Sequence, residues 1–315
     1  MEIAFGPVPS RRLGRSLGVN NIPPKHCSYS CIYCQLGRTR WLEATRRSFY
    51  DWRSIFDAVK SKVEKVSLEN IDYVTFVPDG EPTLDINLGK EIQQIKENIN
   101  ANIAVITNGS LLWMEDVRND LFNADWVSVK IDAVSNEIYK KIDRPHPSLD
   151  LNSVLNGVLE FASSYSGTLV TETMLVAGVN DSVEELDSIA GFIGKVDPTI
   201  AYIAVPTRPP AEPWVSPPSE KTILIAYNIF TDHLGDKVEL LIGFEGGEFN
   251  IDPEKPVESI LGIISVHPMR IDVLEKLLEE KSLNPKTILE EIESCGDALI
   301  VEYRGKAFLV RRLNR

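Results

Sequence analysis

Three of the four cysteines in this 315-residue chain fall within eight positions, as Cys27-Ser28-Tyr29-Ser30-Cys31-Ile32-Tyr33-Cys34. This C-x3-C-x2-C run lies in a segment rich in glycine and proline, and it constrains the fold strongly, because the backbone around it has to bring three thiolates to one group. Three thiolates leave a structural, tetrahedral zinc one ligand short, and no Cys or His follows at finger-like spacing. They do suit three corners of a cubane [4Fe–4S] cluster, which ordinarily takes four cysteines. The fourth iron is then open to something other than protein, and an open position is where a metal can act on another molecule. The plainer alternatives are buried free cysteines or a degenerate zinc knuckle.

A chain of this length can bury one large core and carry a small appended domain. It shows no apolar run long enough to span a membrane and no basic-then-apolar leader, so the expected location is the cytoplasm, with no membrane partner. A reducing cytosol also favours metal binding over disulfides for clustered cysteines. The net charge of −13 argues against a general nucleic-acid binder, but it is unevenly spread. Residues 1–50 hold Arg11, Arg12, Arg15, Lys25, Arg38, Arg40, Arg46 and Arg47 against Glu2 and Glu43 only, which leaves −19 on residues 51–315. A basic segment around the cysteines suits an anionic substrate, tRNA or a phosphorylated metabolite. Equally, those cations can serve only to neutralise nearby acids and a bound cofactor.

Strands are expected at Ser16 to Ile22, Tyr73 to Val77, Ala101 to Ile106, Trp126 to Ile131, Thr168 to Val176 and Thr199 to Val205, with a short one at Val238 to Ile242. The glycines and prolines before Ser16 predict a loop or sheet edge. Tyr50 to Val66 has helical apolar spacing, and amphipathic stretches lie around 86–98, 113–121, 151–164, 182–194 and 217–231. Alternating strand and helix argue for an α/β fold with a parallel sheet, and about six units predict a partial (β/α)6 barrel over residues 1–250. From 256 to 315 the pattern changes to three short helices (257–265, 270–280, 284–294) and a hairpin turning at Arg304-Gly305, which predicts a winged-helix-like domain. Its middle is acidic, so a protein contact is expected there rather than DNA. Cys295 reads as a small buried residue.

The cysteine spacing, with Tyr33 just before the last cysteine, resembles the signature of the radical SAM superfamily. The resemblance implies a radical SAM barrel in which Cys27, Cys31 and Cys34 hold a [4Fe–4S] cluster whose open iron is chelated by S-adenosylmethionine (SAM). It also implies reductive cleavage to a 5′-deoxyadenosyl radical, hence an electron donor protein as a partner. Phe5-Gly6-Pro7-Val8-Pro9-Ser10-Arg11-Arg12-Leu13-Gly14, running on through Ser16-Leu17-Gly18, is similar to the iron–sulfur oxidoreductases grouped with the wyosine synthases, over roughly residues 5–245. That points to tRNA or another nucleobase-containing substrate. Wyosine synthases are expected to hold a second cluster on three further cysteines, however, and only Cys295 remains here. The same count removes auxiliary clusters and a two-cysteine methyl-carrier mechanism.

In such folds the working groups sit at the carboxyl ends of the strands. Gly80-Glu81, followed by Thr83, looks like the family's "GE" motif, which binds the methionine amino group; a carboxylate at that mouth can also take an ammonium. Thr107 and Asn108 sit at the next strand end. Ser128, Lys130 and Asp132 share one strand face by alternation and predict a wet lumen. Glu172, Tyr33 and the apolar stretch through Val176 complete the expected cofactor contacts. Arg11, Arg12, Arg144, His146 and Arg208 are the candidate substrate contacts. The reading is thus a single-cluster radical SAM enzyme; its alternatives are an activase of a partner protein, docked at the winged helix, or a non-enzymatic cluster-based redox sensor.

Overall fold

The computed structural model describes residues 2–242, 249, 251–265 and 267–312. The chain opens with β1 (Ala4–Ser10) and β2 (Gly14–Val19), an antiparallel pair. Next come two-residue strands β3 (His26–Cys27) and β4 (Trp41–Leu42), which pair with each other. The alternating region follows: α1 (Trp52–Val66), β5 (Tyr73–Phe76), α2 (Leu88–Ile99), β6 (Ile103–Thr107), α3 (Glu115–Leu121) and β7 (Trp126–Lys130). It continues with α4 (Asn136–Ile142), α5 (Leu151–Ser164), β8 (Thr168–Met174), α6 (Val183–Val196), β9 (Ile200–Ala204), α7 (Glu220–Leu234) and β10 (Val238–Leu241).

These strands form one open sheet in the order β1-β2-β5-β6-β7-β8-β9-β10, parallel from β2 to β10. The partial barrel is therefore one parallel strand larger than six units, because β10 pairs with β9 along its whole length. The glycine- and proline-rich start is the antiparallel edge strand β1. Helix α4 has no counterpart in the sequence reading, since seven residues carry too little periodicity to stand out.

Local sequence sets the helix limits. Asp51, Asp150, Ser182 and Ser219 accept amide hydrogen bonds as amino-terminal caps of α1, α5, α6 and α7. Asn100 and Asp197 end α2 and α6 in the left-handed conformation. Strand alternation then divides the sheet into two faces. Leu17, Val74, Val105, Val127, Leu169 and Ile203 face the helices and build the main core. The opposite face is apolar near the strand starts, with Tyr73, Ala104, Trp126, Val170 and Ile200. Apart from the paired hydroxyls of Ser16 and Thr75 (2.7 Å), polarity on that face begins only at Ser128, Lys130 and Glu172.

The carboxyl-terminal part runs α8 (Pro256–Ile264), β11 (Met269–Arg270), α9 (Ile271–Glu280), α10 (Pro285–Ser294), β12 (Ala298–Tyr303) and β13 (Lys306–Arg311). Its sheet order is β11-β13-β12, antiparallel, with β11 added to the expected helices and hairpin. Ile260, Ile264, Leu274, Leu278, Ile292 and Leu309 form a core separate from that of the barrel. The boundary expected between residues 250 and 256 adjoins residues 243–248 and 250, which lie outside the described residues. Cys295 is exposed, not buried.

Among the described residues, no helix is long and apolar enough to cross a membrane.

Candidate functional site

The cysteine loop lies across the carboxyl ends of the parallel strands and is tied down along its length. Its middle runs beside residues 142–146: Ser30 N donates to Asp143 O (2.9 Å), Ile32 N to Ile142 O (2.9 Å), and His146 N to Ser28 O (2.8 Å). On another side, Asn108 Nδ2 donates to Ser28 Oγ (2.8 Å) and approaches Cys27 Sγ at 3.6 Å. Tyr29, Ile32, Tyr139, Ile142, Val176 and Val215 form an apolar shell against which Cys27, Cys31 and Tyr33 pack. Burial raises the thiols of Cys27, Cys31 and Cys34, so their protons have to leave when a metal binds. Cys31 Sγ lies 3.6 Å from Asp143 Oδ1, a neighbour absent from the sequence-based candidates, which held only the nearby Arg144 and His146.

Gly80 sits where no other residue fits. Its φ is +154°, and a Cβ built there would stand 1.9 Å from the His26 carbonyl oxygen. Glu81 N donates to that same oxygen (3.0 Å). The Gly80–Glu81 backbone is thus laid directly against the residue before Cys27. The Glu81 side chain is not available to an ammonium. It is buried, Oε1 accepting from Thr83 N (3.1 Å), Thr83 Oγ1 (2.6 Å) and Thr107 Oγ1 (2.6 Å), and Oε2 from Asn108 N (2.7 Å). Thr83 and Thr107 accordingly brace Glu81 instead of facing a ligand. Backbone amides at two buried strand ends need an acceptor, and this carboxylate supplies it.

The lumen-facing set comes together as the alternation predicts. Lys130 Nζ donates to Glu172 Oε1 (3.0 Å), lies 3.8 Å from Asp132 Oδ1, and sits 4.8 Å from the Tyr33 ring centre. Asp132 accepts from Met174 N (2.7 Å) and from the Tyr33 hydroxyl. Burial would push the Glu172 carboxyl up, but Arg12 and Lys130 overcome it and hold it at about 2. The Ser128 hydroxyl is buried with no hydrogen-bond partner among the described residues. Replacing Lys130 with Met is expected to destabilise the fold by about 2 kcal/mol, less than for a lone buried pair because Arg12 stays on Glu172. The stability that Glu172 contributes is present above its ordinary value of 4.5 and lost as pH falls toward 2. The gap between wild type and variant, read by urea unfolding, should close over that window.

The candidate substrate contacts are mostly engaged within the protein. Arg12 pairs with Glu172, and Arg11, exposed on the β1–β2 turn, adds its charge there. Arg144 shares Glu212 with Arg38, whose fork binds it at 2.9 and 2.9 Å. Arg208 donates to Gln35 Oε1 (2.7 Å) and meets His267 Nε2 (2.9 Å), joining the cysteine loop to the carboxyl-terminal domain. His146 Nδ1 bonds Ser148 Oγ (2.8 Å) within its own turn. Most of the basic character of residues 1–50 is likewise neutralised by Arg15–Asp72, Lys25–Asp79, Arg46–Asp116 and Arg47–Glu43. Except for Arg47–Glu43, the pairing needs acids distant in the sequence, which is why charge counting along the chain could not find it.

Beneath the Gly80–Asp85 turn, Glu91 of α2 is wholly buried. Burial and the nearby Asp85 push its carboxyl well up, against the Asn21 amide, with Asp120 adding to the rise. A raised carboxyl contributes stability below its ordinary value of 4.5 and costs stability as pH rises above it. Glu91→Gln is therefore expected to stabilise the protein by about 1–2 kcal/mol at pH 8 and by nothing near pH 4, measured by denaturant titration at both.

No three His, Cys, Asp or Glu side chains among the described residues converge as a single bound ion requires. Cys27, Cys31 and Cys34 nonetheless lie near enough in one loop for Cys27 and Cys34 to add to the rise that burial gives the Cys31 thiol. A family model for the radical SAM superfamily matches residues 21–191, from just before the cysteine loop to α6. The chain belongs to the radical SAM superfamily. UPF0026 protein MJ1312 of Methanocaldococcus jannaschii is 45% identical over 314 residues, covering 99% of this chain and 97% of that one. A protein of Brachyspira hyodysenteriae named GTPase Obg is 40% identical over 204 residues, 65% of this chain and 30% of its own. Streptococcus suis SuiB bound to S-adenosylmethionine has a similar fold, with TM-score 0.52 and 10% identity over 72% of this chain and 51% of that one. As a radical SAM protein, the chain has its Gly80–Glu81 turn and lumen set inside the matched residues.

Proposed function

We propose that this protein is a single-cluster radical SAM enzyme, with Cys27, Cys31 and Cys34 as the cluster ligands. The observation that carries the reading is the Gly80–Glu81 backbone held against His26 by a contact that only glycine permits, beside three cysteines in one loop. When bound, the cluster and SAM supply reductive cleavage to methionine and a 5′-deoxyadenosyl radical that removes hydrogen from a substrate.

The protein's own residues position and shield. Asn108 and Asp143 steady the loop near Cys27 and Cys31. The apolar shell around Val176 and Ile32 covers one side of Cys27 and Cys31 and limits water there. Lys130, Glu172, Asp132 and the unpartnered Ser128 hydroxyl give the lumen polar groups that a nucleoside or amino-acid moiety can meet. The likeness of residues 5–18 to the wyosine-synthase-like proteins supports a tRNA or nucleobase substrate, while the cysteine count argues against wyosine synthesis itself. A redox sensor has no need of the Glu81 brace or the charged lumen.

The test is anaerobic reconstitution with iron and sulfide, then dithionite and SAM, assayed for 5′-deoxyadenosine with and without bulk tRNA. Deoxyadenosine supports the enzyme. A cluster that forms but never cleaves SAM under either condition points to the sensor.

A further inference from the structure

We infer that Lys25 is a positioning residue for the cluster: it fixes the Cys34 half of the cysteine loop and places an ammonium there that raises the cluster's reduction potential. The inference rests on the cluster site of the proposed function and on no particular substrate. The other two ligands have anchors of their own. Cys27 lies on β3, paired with β4, and Ser30 and Ile32, either side of Cys31, donate to residues 142–143. The stretch from Cys34 to Gly37 is held by Lys25. Leu36 is gripped at both ends: its N–H meets the Cys34 sulfur, and its carbonyl accepts from Lys25 Nζ. Lys25 Nζ also pairs with Asp79 Oδ1 at 3.1 Å, and the two residues are only 5% and 4% exposed.

The Lys25 backbone is engaged as well. Its N donates to Asp79 O (2.7 Å), and its O accepts from Arg40 N (3.2 Å) and Trp41 N (2.9 Å). These bonds are made at φ +67°, a left-handed conformation that is costly for any residue but glycine. One residue thus ties the end of the cysteine loop to the strand end that carries Gly80. The Lys25–Asp79 pair is neutral as a whole, but its two ends act on different ligands. Burial raises the Cys34 thiol, and Lys25 opposes that rise more than Asp79 adds to it. At Cys27, burial, Glu81 and Asp79 all act in the raising direction. The ammonium end therefore faces Cys34. Charges and N–H groups directed at the ligand sulfurs set the potential of an iron–sulfur cluster. A cation there favours the state with one more electron; reduction adds that electron from an external donor and neither makes nor breaks a bond.

The sample is the cluster-reconstituted protein at pH 8, where the Asp79 carboxyl, raised by burial to about 6, is ionised. Midpoint potentials are read by mediated redox titration with EPR detection, and iron retention by loss to a chelator. Asp79→Asn leaves the ammonium without its counter-charge. It should raise the reduced-to-oxidised ratio at a fixed potential at least tenfold, about 59 mV for one electron. Its iron should be retained, because Nζ still holds Leu36. Lys25→Met should shift the ratio the other way and lose iron at least tenfold faster. Lys195→Met, on exposed α6, should do neither.

A merely structural ion pair predicts that both variants lose stability and that neither moves the potential. That result overturns the inference while the enzyme reading stands, and so does an Asp79→Asn potential equal to or below wild type. If circular dichroism shows that Lys25→Met does not fold, the Asp79→Asn potential decides alone. A wild-type chain that binds no cluster ends the cluster assignment and this inference with it. A cluster that forms but never cleaves SAM is instead the failure of the enzyme reading, and the potentials can still be compared.

Discussion

Cys31→Ala is expected to abolish cluster assembly, with iron and sulfide falling to background and no deoxyadenosine formed, while the chain itself stays folded. The loop is held by backbone hydrogen bonds from Ser30 and Ile32 to residues 142–143 and by Asn108 on Ser28, none of which involves the Cys31 thiol. Burial keeps the metal-free thiol neutral, and its deletion loses only a long 3.6 Å contact with Asp143, so the metal-free protein should melt close to wild type. With two thiolates the cubane lacks a corner ligand, and cluster binding energy is lost with it. Cys295→Ala is the control. That residue is exposed in the carboxyl-terminal domain and should leave iron content unchanged. Iron analysis, the visible spectrum and circular dichroism together check the result. An iron content equal to wild type in Cys31→Ala would remove this loop as the cluster site.

Gly80→Ala should destabilise the protein by roughly 4 kcal/mol and also lower its capacity for iron. Two costs combine. The backbone at φ +154° is one that an L side chain rarely adopts, and the new methyl would lie 1.9 Å from His26 O and 2.8 Å from Ile22 Cδ1. Because the first atom is backbone, no side-chain rotation relieves the overlap, and the displacement passes into the residue next to Cys27. Urea unfolding of the metal-free protein measures the first effect, and iron content after reconstitution the second. Stability within about 0.5 kcal/mol of wild type would mean that the turn can move away from β3 freely.

Both variants act at positions that the linear sequence marks. Cysteine spacing and the Gly80-Glu81 step are local features, so the candidate metal ligands and the special glycine stand out without a fold. Strand alternation in the same way placed Ser128, Lys130 and Asp132 on one face, because a period of two follows from the backbone alone.

The long-range partners were not legible. Glu81 looked like a free carboxylate until Thr107 at the end of β6 and Asn108 just after it, twenty-six and twenty-seven residues later, filled both its oxygens. Arg12, Arg144 and Arg208 looked like anion contacts until Glu172, Glu212, and Gln35 with His267 were brought to them. Arg144 and His146, read as substrate contacts, lie in the segment that scaffolds the cysteine loop.

The sequence by itself thus determined the superfamily, the parallel α/β plan and which strand face is polar, since each follows from spacing, periodicity and side-chain type. Only the tertiary structure decided which charges are neutralised, which carboxylate is structural and what anchors the cysteine loop. Those depend on groups dozens to hundreds of residues apart meeting within a few ångströms, and electrostatic and hydrogen-bond energies are set by that separation and by the exclusion of water around it.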